Sequence, residues 1–143
     1  MLLGEFTHSI DAKGRVALPA KFRESLGSSF ILTKGLDGCL AVYDQEQWQT
    51  LEKKLASLPM SRKTARDFTR FFFGGAAECS CDKQGRISIP ASLRSYAQLD
   101  KDAVIVGVGN RVEIWDAAKW TEYNEDNAET VAKLAEELAD LGI

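Results

Sequence analysis

The sequence has few of the residues from which catalytic and metal sites are built. It contains one histidine and three cysteines among 143 residues, whereas nucleophilic catalysis ordinarily needs a base beside a serine or cysteine. It has neither a phosphate-binding glycine-rich loop nor a zinc-peptidase signature. We therefore expect no enzyme, no catalytic residues, no metal and no cofactor.

Long apolar runs are absent as well. No stretch approaches the ~20 residues needed to span a bilayer. The first ten residues, MLLGEFTHSI, lack the basic region and apolar core of a secretory signal. An odd number of cysteines in such a chain argues against a disulfide framework. The sequence predicts a cytoplasmic protein with no membrane partner.

The chain also has no overall excess of positive charge, because its net charge is −3. The charge is uneven, however. Residues 121–143 carry seven acidic residues and one lysine, so residues 1–120 have a net charge of +3. Exposed charges are largely screened beyond a Debye length of ~8–10 Å. The composition therefore neither excludes nor indicates a nucleic-acid partner.

What the sequence does contain is one thirteen-residue segment that occurs twice. DAKGRVALPAKFR spans residues 11–23 and DKQGRISIPASLR spans residues 82–94, with Asp, Gly, Arg, Pro, Ala and the final Arg at identical offsets. Such repetition predicts two copies of one structural unit. Neither copy is long enough for a comfortable core of its own. We place the first unit at 5–50, a helical linker at 51–75, the second unit at 76–121 and an acidic C-terminal helix at 122–143.

Each copy has the pattern of a strand, a turn, a second strand and a short helix. In the first copy, alternating segments at 5–10 and 16–18 flank Gly14, which suits a tight turn and predicts a hairpin. Pro19 suits the start of a helix over Ala20–Leu26, which Gly27 would end. Two more strands follow in each copy, at 30–33 with 40–43 and at 104–108 with 112–115.

The linker and the C-terminus have helical spacing. Asp44 and Asp116 are placed as N-caps, and Ser61 as the cap of a helix over Arg62–Phe73. From about Asn127, apolar residues recur at helical intervals beside an acidic face, which predicts a surface helix docked on this chain or on a neighbouring subunit. The linker helix is expected to turn three aromatic side chains inward: Phe68, Phe71 and Phe72.

Cys79 and Cys81 are half of a possible metal site. Cys39 and His8 are the other candidate ligands, but their spacing matches no recognised zinc site. The repeat aligns the two cysteines with alternate residues of the first strand. We interpret them as small, half-buried strand residues.

The repeated Asp-x-x-Gly-Arg segment has the chemistry of an anion-binding turn. Its glycine permits the turn, its aspartate accepts hydrogen bonds, and its arginine offers a donor fork to phosphate oxygens or to a guanine edge. A local Asp–Arg salt bridge is the alternative. The candidate DNA-binding residues are Arg15, Arg86, Lys13, Lys83 and Lys21, and the candidate structural residues of the motif are Asp11, Gly14, Asp82 and Gly85.

Two further possibilities stay open at this point. Arg23 and Arg94 lie on the short helices, where a structural ion pair and a nucleic-acid contact fit equally well. Asp11 and Asp82 could meet as an acid pair or a Mg²⁺ site, although the arginine four residues after each one more simply neutralises it.

Nearly the whole chain resembles the MraZ family of the SpoVT/AbrB superfamily. The resemblance rests on GEFTHSI at 4–10, on the two Asp-x-x-Gly-Arg segments with their Pro-x-x-x-Arg continuations, and on VYD at 42–44 matched by IWD at 114–116. It implies an α+β fold in which two tandem, pseudo-symmetric AbrB-like halves form a swapped-hairpin β-barrel with flanking helices. It also implies that subunits assemble into a homo-oligomeric ring.

The resemblance implies a sequence-specific, DNA-binding transcriptional regulator at the nucleoid. Such a regulator represses its own cell-division and cell-wall operon by binding short direct repeats in double-stranded promoter DNA. The family's Asp-x-x-x-Arg signature falls on residues 11 and 15 and on residues 82 and 86. Lys13 is matched by Gln84, and Lys83 by Ala12, so the halves are expected to contact DNA unequally. The alternative is a ring-forming protein-interaction module, antitoxin-like or division-associated, with little specific DNA binding.

Overall fold

A computed structural model describes residues 1–142 and gives an α+β fold, as the sequence predicts. The strands are β1 (Leu2–Ser9), β2 (Arg15–Ala17), β3 (Phe30–Lys34), β4 (Leu40–Tyr43), β5 (Ala77–Cys79), β6 (Arg86–Ser88), β7 (Asp102–Gly109) and β8 (Val112–Asp116). The α-helices are α1 (Ala20–Leu26), α2 (Gln45–Ala56), α3 (Lys63–Gly74), α4 (Ala91–Tyr96), α5 (Ala117–Asn127) and α6 (Val131–Glu137).

The strand order reflects the internal repeat. Six strands form one antiparallel sheet in the order β1-β7-β8-β4-β3-β5, and β2 pairs with β6 in a separate ribbon. Matching strands of the two halves occupy mirrored places in this order. Ala41 pairs with Glu113 at the centre of the sheet, and Val16 pairs with Ile87 at the centre of the ribbon. A pseudo-two-fold axis passes through both pairs.

The prediction of a hairpin within each half is wrong. The turn at Gly14 is present, but β1 pairs with β7 and β2 pairs with β6, both of which belong to the other half. A free hairpin of this length would leave its apolar face in water, and isolated two-stranded hairpins are at best marginally stable. Exchange of strands between the halves buries Val16 and Ile87 completely. The halves are therefore swapped, as the family resemblance implies.

The expectation of a closed barrel is also wrong. Among residues 1–142, β1 and β5 form the two edges of the six-stranded sheet, and the ribbon strands pair with each other alone. Each ribbon strand has three residues. The ribbon instead packs across one face of an open sheet.

The main core lies between the sheet, the ribbon and the two short helices α1 and α4. Because successive residues of a strand point to opposite faces, Val16 and Ile87 point into this core while Arg15 and Arg86 point outward. Phe22 of α1 and Leu93 of α4 close its sides. The largest fully buried side chains are Phe22, Phe30, Leu18, Leu32, Leu40, Ile87, Ile89, Leu93, Ile105, Ile114, Val16 and Val42.

The helices α2, α3 and α5 cover the opposite face of the sheet. Asp44 and Asp116 are confirmed as N-caps, since their side chains accept hydrogen bonds from the N–H groups of Gln47 (2.7 Å) and Lys119 (3.2 Å). The predicted Ser61 cap is wrong, because α3 has Arg62 at its N-cap position and no side-chain cap.

The aromatic side chains of α3 are buried to different degrees. Phe72 is buried and Phe71 half-buried, whereas Phe68 is 39% exposed, contrary to the expected inward position. Phe68 still touches the ring of Phe72 edge-on, with centroids 4.8 Å apart. The helix therefore packs along a narrower stripe than its spacing predicts.

The acidic C-terminal segment forms two helices, α5 and α6, rather than one helix from Asn127. The apolar stripe of α6 and of the turn after it does not dock on this chain within residues 1–142; Val131, Leu134, Leu138 and Leu141 remain exposed. No helix in the same range is both long and apolar enough to cross a membrane.

The central position of Ile87 predicts a large cost for its truncation. We expect Ile87→Ala to lower the free energy of unfolding by ~2–5 kcal/mol, because it leaves a cavity at the pseudo-two-fold axis. Denaturant unfolding measures this loss. Met60→Ala is the control, since Met60 is 67% exposed and surface substitutions usually change stability by at most ~0.5 kcal/mol. Equal effects of the two variants would contradict the position of the core.

Candidate nucleic-acid interface

The first Asp-x-x-Gly-Arg turn is built by the carboxylate of Asp11. Its Oδ1 atom accepts hydrogen bonds from the N–H groups of Lys13 and Arg15, both at 2.9 Å. The N–H of Gly14 donates to the Asp11 carbonyl (3.0 Å), and Gly14 has a φ of 77°. Positive φ is the region that favours glycine. The aspartate and the glycine therefore both shape the turn.

The second turn reproduces the first. Oδ1 of Asp82 accepts hydrogen bonds from the N–H groups of Gln84 and Arg86, both at 2.9 Å. Gly85 has a φ of 75°, and its N–H donates to the Asp82 carbonyl at 3.0 Å. The repeat in the sequence is thus a repeat in backbone and side-chain geometry.

The same aspartates orient the two arginines. Nε of Arg15 donates to Oδ2 of Asp11 at 2.6 Å, and Nε of Arg86 donates to Oδ2 of Asp82 at 2.9 Å. The local salt bridge considered as an alternative is therefore present in both copies. It uses Nε, and among residues 1–142 the Nη atoms of Arg15 have no hydrogen-bond partner. The salt bridge of Arg15 consequently leaves the outer edge of its guanidinium group available to bind an anion, whereas Nη1 of Arg86 also lies near Asp11.

The two turns contact each other across the pseudo-two-fold axis. Nη1 of Arg86 lies 3.7 Å from Oδ2 of Asp11. In the ribbon, Arg15 is opposite Ser88, and Arg86 is opposite Ala17. The arginines therefore lie on a diagonal of the outward ribbon face. Their side chains are 30% and 29% exposed, respectively.

The pKa values of the two aspartates are lowered for the same reason. The largest cause is the backbone N–H of the arginine four residues later, Arg15 for Asp11 and Arg86 for Asp82. Hydrogen bonds to an ionised carboxylate favour the charged form. Both carboxylates are therefore negative at neutral pH, and each is engaged by an arginine. Arg86 lies near both carboxylates, with Nε 2.9 Å from Oδ2 of Asp82 and Nη1 3.7 Å from Oδ2 of Asp11.

The predicted lysines do not all lie at the turns. Lys13 and Lys83 belong to the turns and are exposed. Lys21 lies elsewhere, with Nζ 5.1 Å from the ring centroid of Phe6 and 5.8 Å from that of Phe22. These are distances of cation–π contacts. The structure therefore brings together four of the five predicted cations.

Lys101 is a lysine whose main chain lies near the first turn and which sequence reasoning missed. It is exposed, and its carbonyl accepts a hydrogen bond from the N–H of Ile10, the residue before Asp11, at 2.8 Å. The pairing of β1 with β7 creates this proximity. No local pattern could have indicated it, because residues 10 and 101 belong to different halves.

Arg23 and Arg94 do not form the ion pairs considered for them. Among the described residues, both guanidinium groups donate to main-chain carbonyls of their own half, Arg23 to Leu18 at 2.6 Å and Arg94 to Ile89. Both side chains are half-buried. Both side chains therefore help to hold the ribbon in place.

Cys79 and Cys81 are half-buried and pack against the main core, as interpreted from the sequence. Burial raises the pKa of both thiols. No cluster of three or more His, Cys, Asp or Glu side chains within residues 1–142 is arranged to hold a metal ion.

Known proteins are similar to this chain along its whole length. A family model described as "MraZ protein, putative antitoxin-like" matches residues 1–71 and again residues 72–141. The chain is 55% identical to a protein of Syntrophomonas wolfei, 56% identical to one of Alkaliphilus oremlandii and 57% identical to one of Acetivibrio thermocellus. Each similarity spans all 143 residues and the whole of the relative. All three relatives are named "Transcriptional regulator MraZ".

The lowered pKa values predict an acid-sensitive contribution to stability. Because the folded-state pKa of Asp11 and Asp82 lies below the ordinary value of 3.8, their stabilisation is complete above that value. It is lost as pH falls through the folded-state pKa. We expect the double variant Asp11→Asn/Asp82→Asn to be less stable than the original chain at pH 7, and the difference to shrink below pH 3.8. Denaturant unfolding over a pH series measures it.

Asp140→Asn is the control for this experiment, because Asp140 is exposed and lies outside both turns. A stability difference between the double variant and the original chain that stays constant from neutral to acidic pH would contradict the role of the ionised carboxylates.

Proposed function

The chain belongs to the MraZ family, and on that premise we propose that it regulates transcription by binding double-stranded DNA in a sequence-specific manner. The contacts are made by Arg15 and Arg86, with Lys13 and Lys83 beside them. The names of the relatives support regulation of transcription. The geometry of the two turns supports binding to DNA.

The observation that carries the proposal is the pair of matched arginines on the outward face of one ribbon. The major groove of B-DNA is ~12 Å wide and admits a two-stranded β-ribbon. Arg15 and Arg86 are held by the aspartates through Nε, so little conformational entropy is lost when their outer edges bind. Arginine is the residue that pairs most often with the O6 and N7 acceptors of guanine.

The distribution of charge supports the same surface. The ribbon lies on one face of the sheet, whereas α5, the first of the two acidic helices, packs on the other face through Trp115 and Trp120. Packed layers are ~10 Å apart, comparable with the Debye length of ~8 Å at physiological salt. The intervening sheet therefore separates the acidic charge of α5 from a duplex bound to the ribbon.

The two turns are unequal in their surroundings. Each turn has one lysine, but at a different position: Lys13 directly precedes Gly14, whereas Lys83 directly follows Asp82. The two turns are therefore expected to contact DNA unequally. Lys21, which lies on the aromatic rings of Phe6 and Phe22, adds a weaker long-range attraction.

The finer functional assignment follows from family resemblance. The chain represses its own cell-division and cell-wall operon at the nucleoid in the cytoplasm, by binding short direct repeats in the promoter. Adjacent subunits of a homo-oligomeric ring each place their turns at one repeat. Linked contacts of this kind give a high overall affinity from individually weak sites.

An apolar surface on α6 supports the homo-oligomer. Leu134 and Leu138 are 46% and 41% exposed, beside acidic residues. A pocket at the start of α3 is lined in part by Leu58, Ala65 and Phe68, together with the basic residue Arg62. The apolar and acidic character of α6 complements this pocket. Docking α6 of one subunit onto the pocket of the next is a head-to-tail interface, which closes into a ring when the rotation permits.

Substitution of the two arginines tests DNA binding. We expect specific, salt-sensitive binding to the DNA upstream of the chain's own gene, measured by fluorescence anisotropy against scrambled DNA. Arg15→Ala should weaken it ~5- to 150-fold, since a bidentate base contact contributes about 1–3 kcal/mol. Lys13→Ala should instead reduce the log–log salt slope by ~0.9 for each phosphate that the protein no longer neutralises.

Lys53→Ala is the matched control, because Lys53 is exposed on α2, on the far face of the sheet. Equal affinity for specific and scrambled DNA, unchanged by Arg15→Ala and Arg86→Ala, would contradict the proposal. That result would favour the protein-interaction alternative.

The proposed subunit contact predicts that charge in the apolar stripe disrupts assembly. We expect Leu134→Asp/Leu138→Asp to convert the oligomer to smaller species in light scattering after size-exclusion chromatography. Glu129→Gln changes an exposed residue outside the stripe and should leave the molar mass unchanged. An unaltered mass for the double variant would exclude α6 as the subunit contact.

A further inference from the structure

The glycine of each turn is covered by an arginine from the other half of the chain. Gly14 and Gly85 are buried. A Cβ atom placed on Gly14 would overlap the guanidinium group of Arg94, and one placed on Gly85 would lie 2.7 Å from Cζ of Arg23. The guanidinium groups therefore lie directly against the turns, in space that a larger residue would fill.

Both arginines are anchored at the ends of the ribbon strands. Arg23 donates to the carbonyl of Leu18, whose N–H donates to the carbonyl of Gly85 at 3.0 Å. Arg94 donates to the carbonyl of Ile89, whose N–H donates to the carbonyl of Gly14 at 2.9 Å. Leu18 therefore links Arg23 to the second turn, and Ile89 links Arg94 to the first turn. Each link consists of two hydrogen bonds to one residue.

We propose that Arg23 and Arg94 are positioning residues that lock the DNA-binding turns across the two halves. Arg94 holds the turn that presents Arg15, and Arg23 holds the turn that presents Arg86. This inference rests on the proposed function of the turns. It assigns Arg23 and Arg94 a role that requires no contact with nucleic acid.

The geometry explains why arginine occupies both positions. The guanidinium group can donate to a carbonyl while its other atoms lie against a glycine backbone. Lysine carries a point charge on a flexible stem and has no planar group to lay over the turn. Lysine would preserve the positive charge at these positions, but it would not make the same contact with Gly14 or Gly85.

The first experiment needs no DNA. Amide chemical shifts and hydrogen exchange are compared in Arg94→Ala and Arg23→Ala, which are matched controls for each other. We expect Arg94→Ala to perturb the amides of Lys13 and Gly14 and to accelerate their exchange, and Arg23→Ala to do so at Gly85. Perturbation confined to the turn of the same half, or equal at both turns, would overturn the proposal.

A double-mutant cycle gives a second structural test. Gly14→Ala should lower the denaturation midpoint, and this loss should be smaller when Arg94→Ala has removed the overlapping group. The loss should be undiminished in the Arg23→Ala background, because Arg23 covers the other glycine. Additive effects of Gly14→Ala and Arg94→Ala would contradict direct contact. Should Gly14→Ala fail to fold, the amide measurements decide.

The second experiment measures DNA affinity to test the same contact between each arginine and the turn of the opposite half. Arg94→Ala should weaken binding to the upstream DNA in the original chain but add little once Arg15→Ala is present, because both changes act through the first turn. Arg23→Ala should retain its full fold-loss in the Arg15→Ala background. Restored affinity in Arg94→Lys would identify a direct charge contact and refute the positioning role.

The two experiments separate the inference from the proposed function. Failure of the original chain to bind the upstream DNA specifically would overturn the function of the turns, while the amide data would still establish or refute the lock between halves. Specific binding together with turns that do not respond to the opposite arginine would overturn the inference alone.

Discussion

Pairing of the two short ribbon strands is the constraint from which the rest of the architecture follows. Val16 and Ile87 face each other at the pseudo-two-fold axis and are fully buried. Because each strand is bonded to the other half, neither turn can form its native surroundings without its counterpart. The same exchange sends β1 to the far edge of the sheet beside β7. The fold and the candidate site therefore depend on the same pairing of strands.

Rigidity at the site comes mainly from hydrogen bonds and less from ion pairs. Salt bridges that solvent reaches contribute little to stability, so the ion pair between Asp11 and Arg15 is not by itself what fixes the turn. The carboxylate also accepts two backbone N–H groups, which fix the turn and the direction of the arginine at once. Its main effect is preorganisation, which reduces the entropy lost on binding.

Features specified by nearby residues could be predicted from the sequence. The helix over Ala20–Leu26 and the capping roles of Asp44 and Asp116 depend on local geometry, and the structure confirms them. The repeat likewise predicted two equivalent turns. The aspartate and glycine at each turn could be identified because the chemistry of a tight turn restricts both positions.

Features specified by distant partners could not be predicted in this way. A hairpin and a swapped pair of strands have the same local alternation, so the pattern around Gly14 could not determine which strand pairs with β2. Lys101 comes near the first turn only through the β1–β7 pairing. The exposure of Phe68 depends on how α3 is tilted over the sheet, and helical spacing does not determine tilt.

Placing both halves in one chain permits a difference that a symmetric dimer of half-chains would lack. The aspartate, glycine and arginine of the turns are identical, yet Lys13 corresponds to Gln84. A strictly two-fold surface is matched to a palindromic site, because each half meets the same bases in inverted order. The proposed binding to direct repeats instead requires each subunit to present a directional surface. Unequal lysines around two equally rigid turns supply that direction without altering the framework that holds the arginines.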